Sequence, residues 1–124
     1  MNKDIDISIV IPTYNAEKSI YLLLKSLFKE LNLLKLSFEI IIVDDNSTDH
    51  TINEIKKFKN NSETGNITVI KSSSNYGQIT STLLGVSNTI GKKILTIDDD
   101  LQHDPIEIKK LYKHMIKNDL DSVV

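Results

Sequence analysis

Four short runs rich in isoleucine and valine recur along this chain, and a segment with apolar residues at helical spacing follows each of them. The runs are Ile5 to Pro12, Phe38 to Asp44, Ile67 to Lys71 and Lys93 to Asp98. Near-continuous β-branched residues suit strands covered on both faces. The helical patterns are Ile20, Leu23, Leu24, Leu27, Phe28 and Leu31; then Ile52, Ile55 and Phe58; then Ile79, Leu83, Val86 and Ile90; then Ile108, Leu111, Tyr112, Met115 and Ile116. Each gives one apolar stripe expected to face the core. The last has a start signal, with Asp104 as N-cap, Pro105 at the first helical position and Glu107 three after the cap. Asp121 to Val124 reads as the start of a fifth strand. This order predicts an α/β, Rossmann-like, mainly parallel sheet with helices on both faces. The 124 residues suffice for a single domain, 1–124, with a real core. The polar stretch Asn60 to Asn66, carrying Gly65, reads as a surface loop within it.

Composition removes several function classes. The net charge of −2 gives no basic excess for nucleic acid. The absence of cysteine excludes disulfides and thiolate metal sites. No apolar run approaches the ~18 residues of a membrane span, and no secretory leader pattern is visible, so a cytoplasmic compartment is the expectation.

In an open parallel sheet, ligands bind outside the carboxyl ends of the strands. The polar clusters fall there: Pro12 to Glu17 after the first strand, Asp44 to Asp49 after the second, Ser72 to Gln78 after the third and Asp98 to Gln102 after the fourth. Asp98, Asp99 and Asp100 are the most informative of these. Adjacent carboxylates disfavour one another's ionisation unless a cation sits between them, and a hard divalent metal with oxygen ligands suits such a cluster. Neither a Gly-x-Gly-x-x-Gly after the first strand nor a P-loop sequence is present. A diphosphate in this cleft would therefore need much of its countercharge from a metal. Plainer roles stand beside these: Asp44 and Asp45 as caps of the next helix, Tyr14 as a packing residue, and His50, His103 and His114 as surface or loop residues.

Taken in order, Ser8 to Asn15, Glu39 to Asp49, Asn75 to Gln78, and Asp98 to Gln102 followed by His103-Asp104-Pro105 resemble the family 2 glycosyltransferases with a GT-A fold. The last block looks most like the polyprenyl-phosphate glycosyltransferase and dolichyl-phosphate mannose synthase branch. The resemblance implies a metal-dependent, inverting transfer of sugar from a nucleoside-diphosphate sugar, UDP- more than GDP-, to a saccharide or a lipid phosphate such as polyprenyl phosphate. It implies that Pro12, Tyr14, Asn15 and Glu17 border the nucleotide, and that Val43 and Asp45 contact the base. Asp98 and Asp100 would carry Mg²⁺ or Mn²⁺ with Gln102 adding a contact, and the backbone of Asp99 would line the nucleotide while its carboxylate points to solvent. Ala16 and Ser74 depart from the common pattern, which has a glutamate and a basic residue there. Catalytic domains of this family run to roughly twice this length, so the resemblance implies the nucleotide-binding half, truncated after about four βα units. Its acceptor-side catalytic residues would lie beyond Val124, with exposed apolar surface favouring a homo-oligomer and a parent protein at the inner face of the membrane. Two alternatives are a non-catalytic nucleotide-sugar-binding fragment and a response-regulator receiver-like domain. A receiver, however, places its acid pair after the first strand, and a nucleotidyltransferase of related fold carries a glycine-rich loop there.

Overall fold

The computed structural model describes residues 4–61, 66–100, 105–117 and 122–123. Nine elements alternate along them: β1 (Ile7–Thr13), α1 (Ile20–Leu33), β2 (Phe38–Asp44), α2 (Thr51–Asn61), β3 (Ile67–Lys71), α3 (Gln78–Ser87), β4 (Lys93–Thr96), α4 (Pro105–Lys117) and β5 (Ser122–Val123). The strands form one sheet in the order β3-β2-β1-β4-β5, with every pairing parallel. Asn60 and Asn61, expected in a loop, close α2.

β1 lies at the centre and is buried along its whole length. The chain steps outward from β1 to β2 and β3, then returns through α3 to β4 on the other side of β1. The order therefore reverses between β1 and β4, where an open α/β sheet forms its ligand crevice. Pro12 helps to open it. Val10 accepts from the Ile97 N–H on the β4 side, and Thr13 accepts from the Asp45 N–H on the β2 side. Backbone groups alternate sides along a strand, so Pro12 faces the β4 side. The β1–β4 pairing has already ended there, at Val10 and Thr96. A proline without an N–H fits where no ladder partner remains.

Ile7, Ile9 and Ile11 of β1, Ile40 and Ile42 of β2, and Leu95 and Ile97 pack with Ile20, Leu23, Leu24, Leu27 and Leu31 of α1, Ile55 and Phe58 of α2, and Ile108 of α4. Phe28 joins this face, edge-on to Phe38 and Phe58 with centroids 5.0 and 5.1 Å apart. Met115 is fully buried, whereas Ile116, expected in the same stripe, is exposed.

The other face of the sheet carries α3, and here the sequence expectation fails. Ile79, Leu83 and Ile90 are 78%, 64% and 71% exposed, and the buried residues of α3 are Ser81 and Gly85. The helix sits too close to the sheet for large side chains: a Cβ on Gly85 would lie 2.4 Å from Val10 Cγ1 and 3.1 Å from Val43 Cγ2. The small residues therefore face the strands and the large ones face outward. Replacing both Ile79 and Leu83 by lysine is accordingly expected to change unfolding free energy by less than about 0.5 kcal/mol. Urea titration of the double variant checks this, since loss of two core residues would instead cost several kcal/mol.

Candidate functional site

The loops after β1 and β2 are clasped together by side chains. Three successive N–H groups of the first loop donate to the second: Asn15 to Ser47 Oγ (2.9 Å), Ala16 to Thr51 Oγ1 (2.8 Å) and Glu17 to Asp49 Oδ2 (3.2 Å). In return the Thr48 N–H donates to Asn15 Oδ1 (2.8 Å) and the His50 N–H to Glu17 Oε2 (3.1 Å). Asp44 accepts from both the N–H and the hydroxyl of Ser47. Asn15 and Asn46 hold positive φ, 48° and 64°, which asparagine tolerates better than most residues. These bonds satisfy backbone donors ahead of α1 and α2 that the helices themselves leave unpaired.

Asp49 is the electrostatic centre of the clasp. Burial disfavours its charge, but the Thr51 hydroxyl and N–H and the Glu17 N–H outweigh that, so its carboxyl is held below the ordinary 3.8. The unfolded chain then binds more protons than the folded one in that window, and stability rises with pH through it. Asp49→Asn is expected to be less stable than the parent at pH 7. The gap should stay constant down to about 3.8 and close as pH falls further through the lowered value. Urea midpoints between pH 2.5 and 7 check this; a gap independent of pH would show that the charge contributes nothing.

Asp45 faces the other way, into the crevice. It is 4% exposed, and its two carboxylate oxygens accept from the N–H groups of Tyr76 (2.8 Å) and Gly77 (2.9 Å). Gly77 supplies φ +93° ahead of α3, a conformation that a Cβ would strain. Across the crevice, Asp98 Oδ1 accepts from Gln78 Nε2 at 3.1 Å. Asp99 ties the acidic loop to the first loop: its Oδ2 accepts the Tyr14 N–H (2.9 Å) and its carbonyl accepts the Ser19 hydroxyl (2.6 Å). The Asp99 carboxylate thus does not point to solvent as expected. Burial raises its carboxyl above the ordinary range; the Tyr14 N–H opposes this, and the charges of Asp100 and Asp98 reinforce it.

Pro12, Thr13, Tyr14, Asp45, Gln78, Ser81, Asp98, Asp99 and Asp100 line one cavity of about 240 Å³ at these strand ends. Five of the expected nucleotide-site residues meet there: Pro12, Tyr14, Asp45, Asp98 and Asp99. Tyr14 is 47% exposed, so its ring is not a core residue. Asn15 and Glu17 belong to the clasp instead. Val43 is wholly buried, with its side chain against α3; its position inside β2 leaves no side-chain face for a ligand. Gln102 and His103 lie outside the described residues. Thr13, Gln78 and Ser81 were not anticipated as site residues, although Gln78 closes the Asn75 to Gln78 motif and so carried a signal.

Among the described residues, no group of three or more His, Asp or Glu side chains is placed to hold a metal ion. Asp98 and Asp100 nevertheless supply hard oxygen donors to the same cavity. A Mg²⁺-type ion needs no all-protein cage, because one or two carboxylates with substrate phosphates and water complete its shell. The donor set fits that mode of binding.

The parallel sheet, its reversal point and the acid-lined crevice define an α/β protein of the GT-A type. The chain belongs to glycosyl transferase family 2, whose sequence model matches residues 8–124. It is 35% identical over 105 residues to the undecaprenyl-phosphate 4-deoxy-4-formamido-L-arabinose transferase of Proteus mirabilis, covering 85% of this chain and 32% of that protein. Among solved structures, Staphylococcus aureus TarS 1-349 in complex with UDP-GlcNAc superposes with a TM-score of 0.73 at 28% identity, covering 90% of this chain and 31% of that one. Glucosyl-3-phosphoglycerate synthase from Mycobacterium tuberculosis, in complex with Mn²⁺, UDP and phosphoglyceric acid, shares the fold with a TM-score of 0.70 at 21% identity, covering 90% of this chain and 39% of that one. The chain thus spans about a third of the length of the curated relatives it matches. The family match removes the receiver-domain alternative, and β1 carries no acid pair at its end.

Proposed function

We propose that this chain forms the donor-nucleotide site of a metal-dependent, inverting glycosyltransferase using a nucleoside-diphosphate sugar, UDP- in preference to GDP-. The observation that carries the proposal is the convergence of Asp45 with Asp98, Asp99 and Asp100 on one cavity at the reversal point of the sheet. In this reading Asp45 accepts from a ring N–H of the base, Tyr14 offers an exposed aromatic face beside it, and Asp98 and Asp100 hold Mg²⁺ or Mn²⁺ together with the diphosphate. When bound, the cation supplies positive charge to the leaving diphosphate. Gln78 fixes the Asp98 carboxylate, and Asp99 keeps the acidic loop against the β1–α1 loop.

The names of the curated relatives support polyprenyl phosphate as acceptor. Its phosphate oxygen is anionic near neutral pH, so a strong general base is less necessary for a single displacement at the anomeric carbon. Among the described residues, no helix is long and apolar enough to cross a membrane; a lipid-linked acceptor would bring the reaction to the membrane's cytoplasmic face.

Thermal unfolding with UDP or GDP, each with and without Mn²⁺, tests the donor site. Ligand at 100 times its dissociation constant should stabilise by about 2.7 kcal/mol, a rise of several degrees. The rise should require Mn²⁺ and vanish in the Asp98→Asn, Asp100→Asn double variant. No rise with either nucleotide would refute a competent donor site in this chain.

A further inference from the structure

Ser81 is 2% exposed, and its Oγ is the one buried side-chain polar atom without a hydrogen-bond partner among the described residues. A desolvated, unpaired hydroxyl is costly, and helical serines ordinarily avoid this by donating back to a carbonyl of the preceding turn. Thr82 and Ser87 in the same helix do so, to Gln78 and Leu84 at 2.8 and 2.7 Å. The Ser81 hydroxyl does not, although its own N–H bonds to the Gly77 carbonyl in the ordinary way. The residue forms part of the wall of the acid-lined cavity, together with Asp45 and Gln78. It also borders a second cavity behind the Tyr76 loop, lined by Lys71, Ser72 and Leu84 among others. One change of χ1 rotamer re-aims a serine hydroxyl.

We infer that the Ser81 hydroxyl is a specificity-determining donor that, beside the Asp45 carboxylate, reads the imide edge of a nucleobase. This rests on the nucleotide reading of the cavity. Each Asp45 oxygen already accepts one backbone N–H and retains a second lone pair. Asp45 can therefore only accept, whereas the Ser81 hydroxyl can donate as well as accept and is the group of the two able to serve a carbonyl oxygen. Uracil presents the complement, a ring N–H flanked by carbonyl oxygens, and guanine presents a ring N–H beside one carbonyl. Cytosine presents the reverse, a bare ring nitrogen beside an amine. Asp45 accepts the ring proton, Ser81 donates to the neighbouring carbonyl oxygen, and the buried hydroxyl gains in the complex the partner it lacks in the free protein.

The test compares the 124-residue chain with Ser81→Ala by calorimetric titration of UDP, GDP and CDP in the presence of Mn²⁺, and by thermal unfolding without nucleotide. The parent should bind UDP or GDP and reject CDP. Ser81→Ala should weaken the preferred nucleotide about tenfold, leave CDP unchanged and raise the nucleotide-free midpoint by about 4 °C. Ser81→Cys, which keeps a weak donor, should fall between the two in affinity. A preferred nucleotide that binds the parent and Ser81→Ala equally overturns the inference and leaves the donor site standing, as does an equal loss for all three nucleotides, which marks packing. A parent that binds no nucleotide overturns both readings.

Discussion

Replacing Gly91 by alanine is expected to remove about 3 kcal/mol of stability and lower the melting midpoint by roughly 10 °C, while leaving nucleotide binding by the folded protein unchanged. Gly91 lies between α3 and β4, at the end of the sheet opposite the crevice. Its N–H donates to Ser8 Oγ at 2.8 Å; the Ser8 hydroxyl donates to Glu39 Oε2 at 2.6 Å, which also accepts the Ile90 N–H at 2.7 Å. This chain of bonds fixes the α3–β4 connection to β1 and β2, and Ser8 within it is fully buried. A Cβ on Gly91 would stand 2.4 Å from Ser8 Oγ, 2.7 Å from the Ser8 nitrogen and 2.9 Å from the Ile7 carbonyl carbon. Two of those atoms are backbone of the central strand and cannot turn aside. The loop must shift, and the buried Ser8 hydroxyl then loses a partner. Urea unfolding measures the loss; a variant within 0.5 kcal/mol of the parent would show that the connection relaxes freely.

Asp45→Asn is expected to cost about 2 kcal/mol and to abolish the nucleotide-dependent rise in melting temperature. The substitution keeps shape and size, so packing predicts little change. Hydrogen bonding predicts otherwise. Both carboxylate oxygens accept from backbone N–H groups, Tyr76 and Gly77. An amide offers one acceptor and one donor group, so its NH₂ must face one of those N–H groups with nothing between them to accept. The loop ahead of α3 would loosen, and the acceptor assigned to the base would go with it. Equilibrium unfolding and nucleotide titration of the one variant separate the two effects. Unchanged stability would refute the clamp, and unchanged binding would refute contact with the base.

The sequence resolved much of this site. Its crevice lies at the carboxyl ends of β1, β2 and β4 because polar clusters follow each Ile/Val run, and Asp98 to Asp100 stand where the alternation placed them. The bounds of β2 and β3 match the runs Phe38 to Asp44 and Ile67 to Lys71. The sequence was less informative about which of several neighbouring polar side chains faces a ligand. Asp44, Asp45 and Asp49 are alike in type and nearly adjacent, yet only Asp45 reaches the cavity. Asp49, with Asn15 and Glu17, holds two loops together across some 32 residues of chain, while Asp44 fixes Ser47 within the second loop.

The amino-acid order by itself determined that alternating strands and helices would form a parallel sheet with its chemistry along one edge, because burial of β-branched runs and helical stripes acts over neighbouring residues and leaves a period that can be read. Tertiary structure alone decided the orientation of α3. The close approach of its backbone to Val10 and Val43 turned Ser81 and Gly85 inward and left Ile79 and Leu83 outside. Contact between helix and sheet is settled by the space between two backbones, and its trace in the sequence, small residues four apart at Ser81 and Gly85, is a weaker signal than the stripe of large apolar residues beside it.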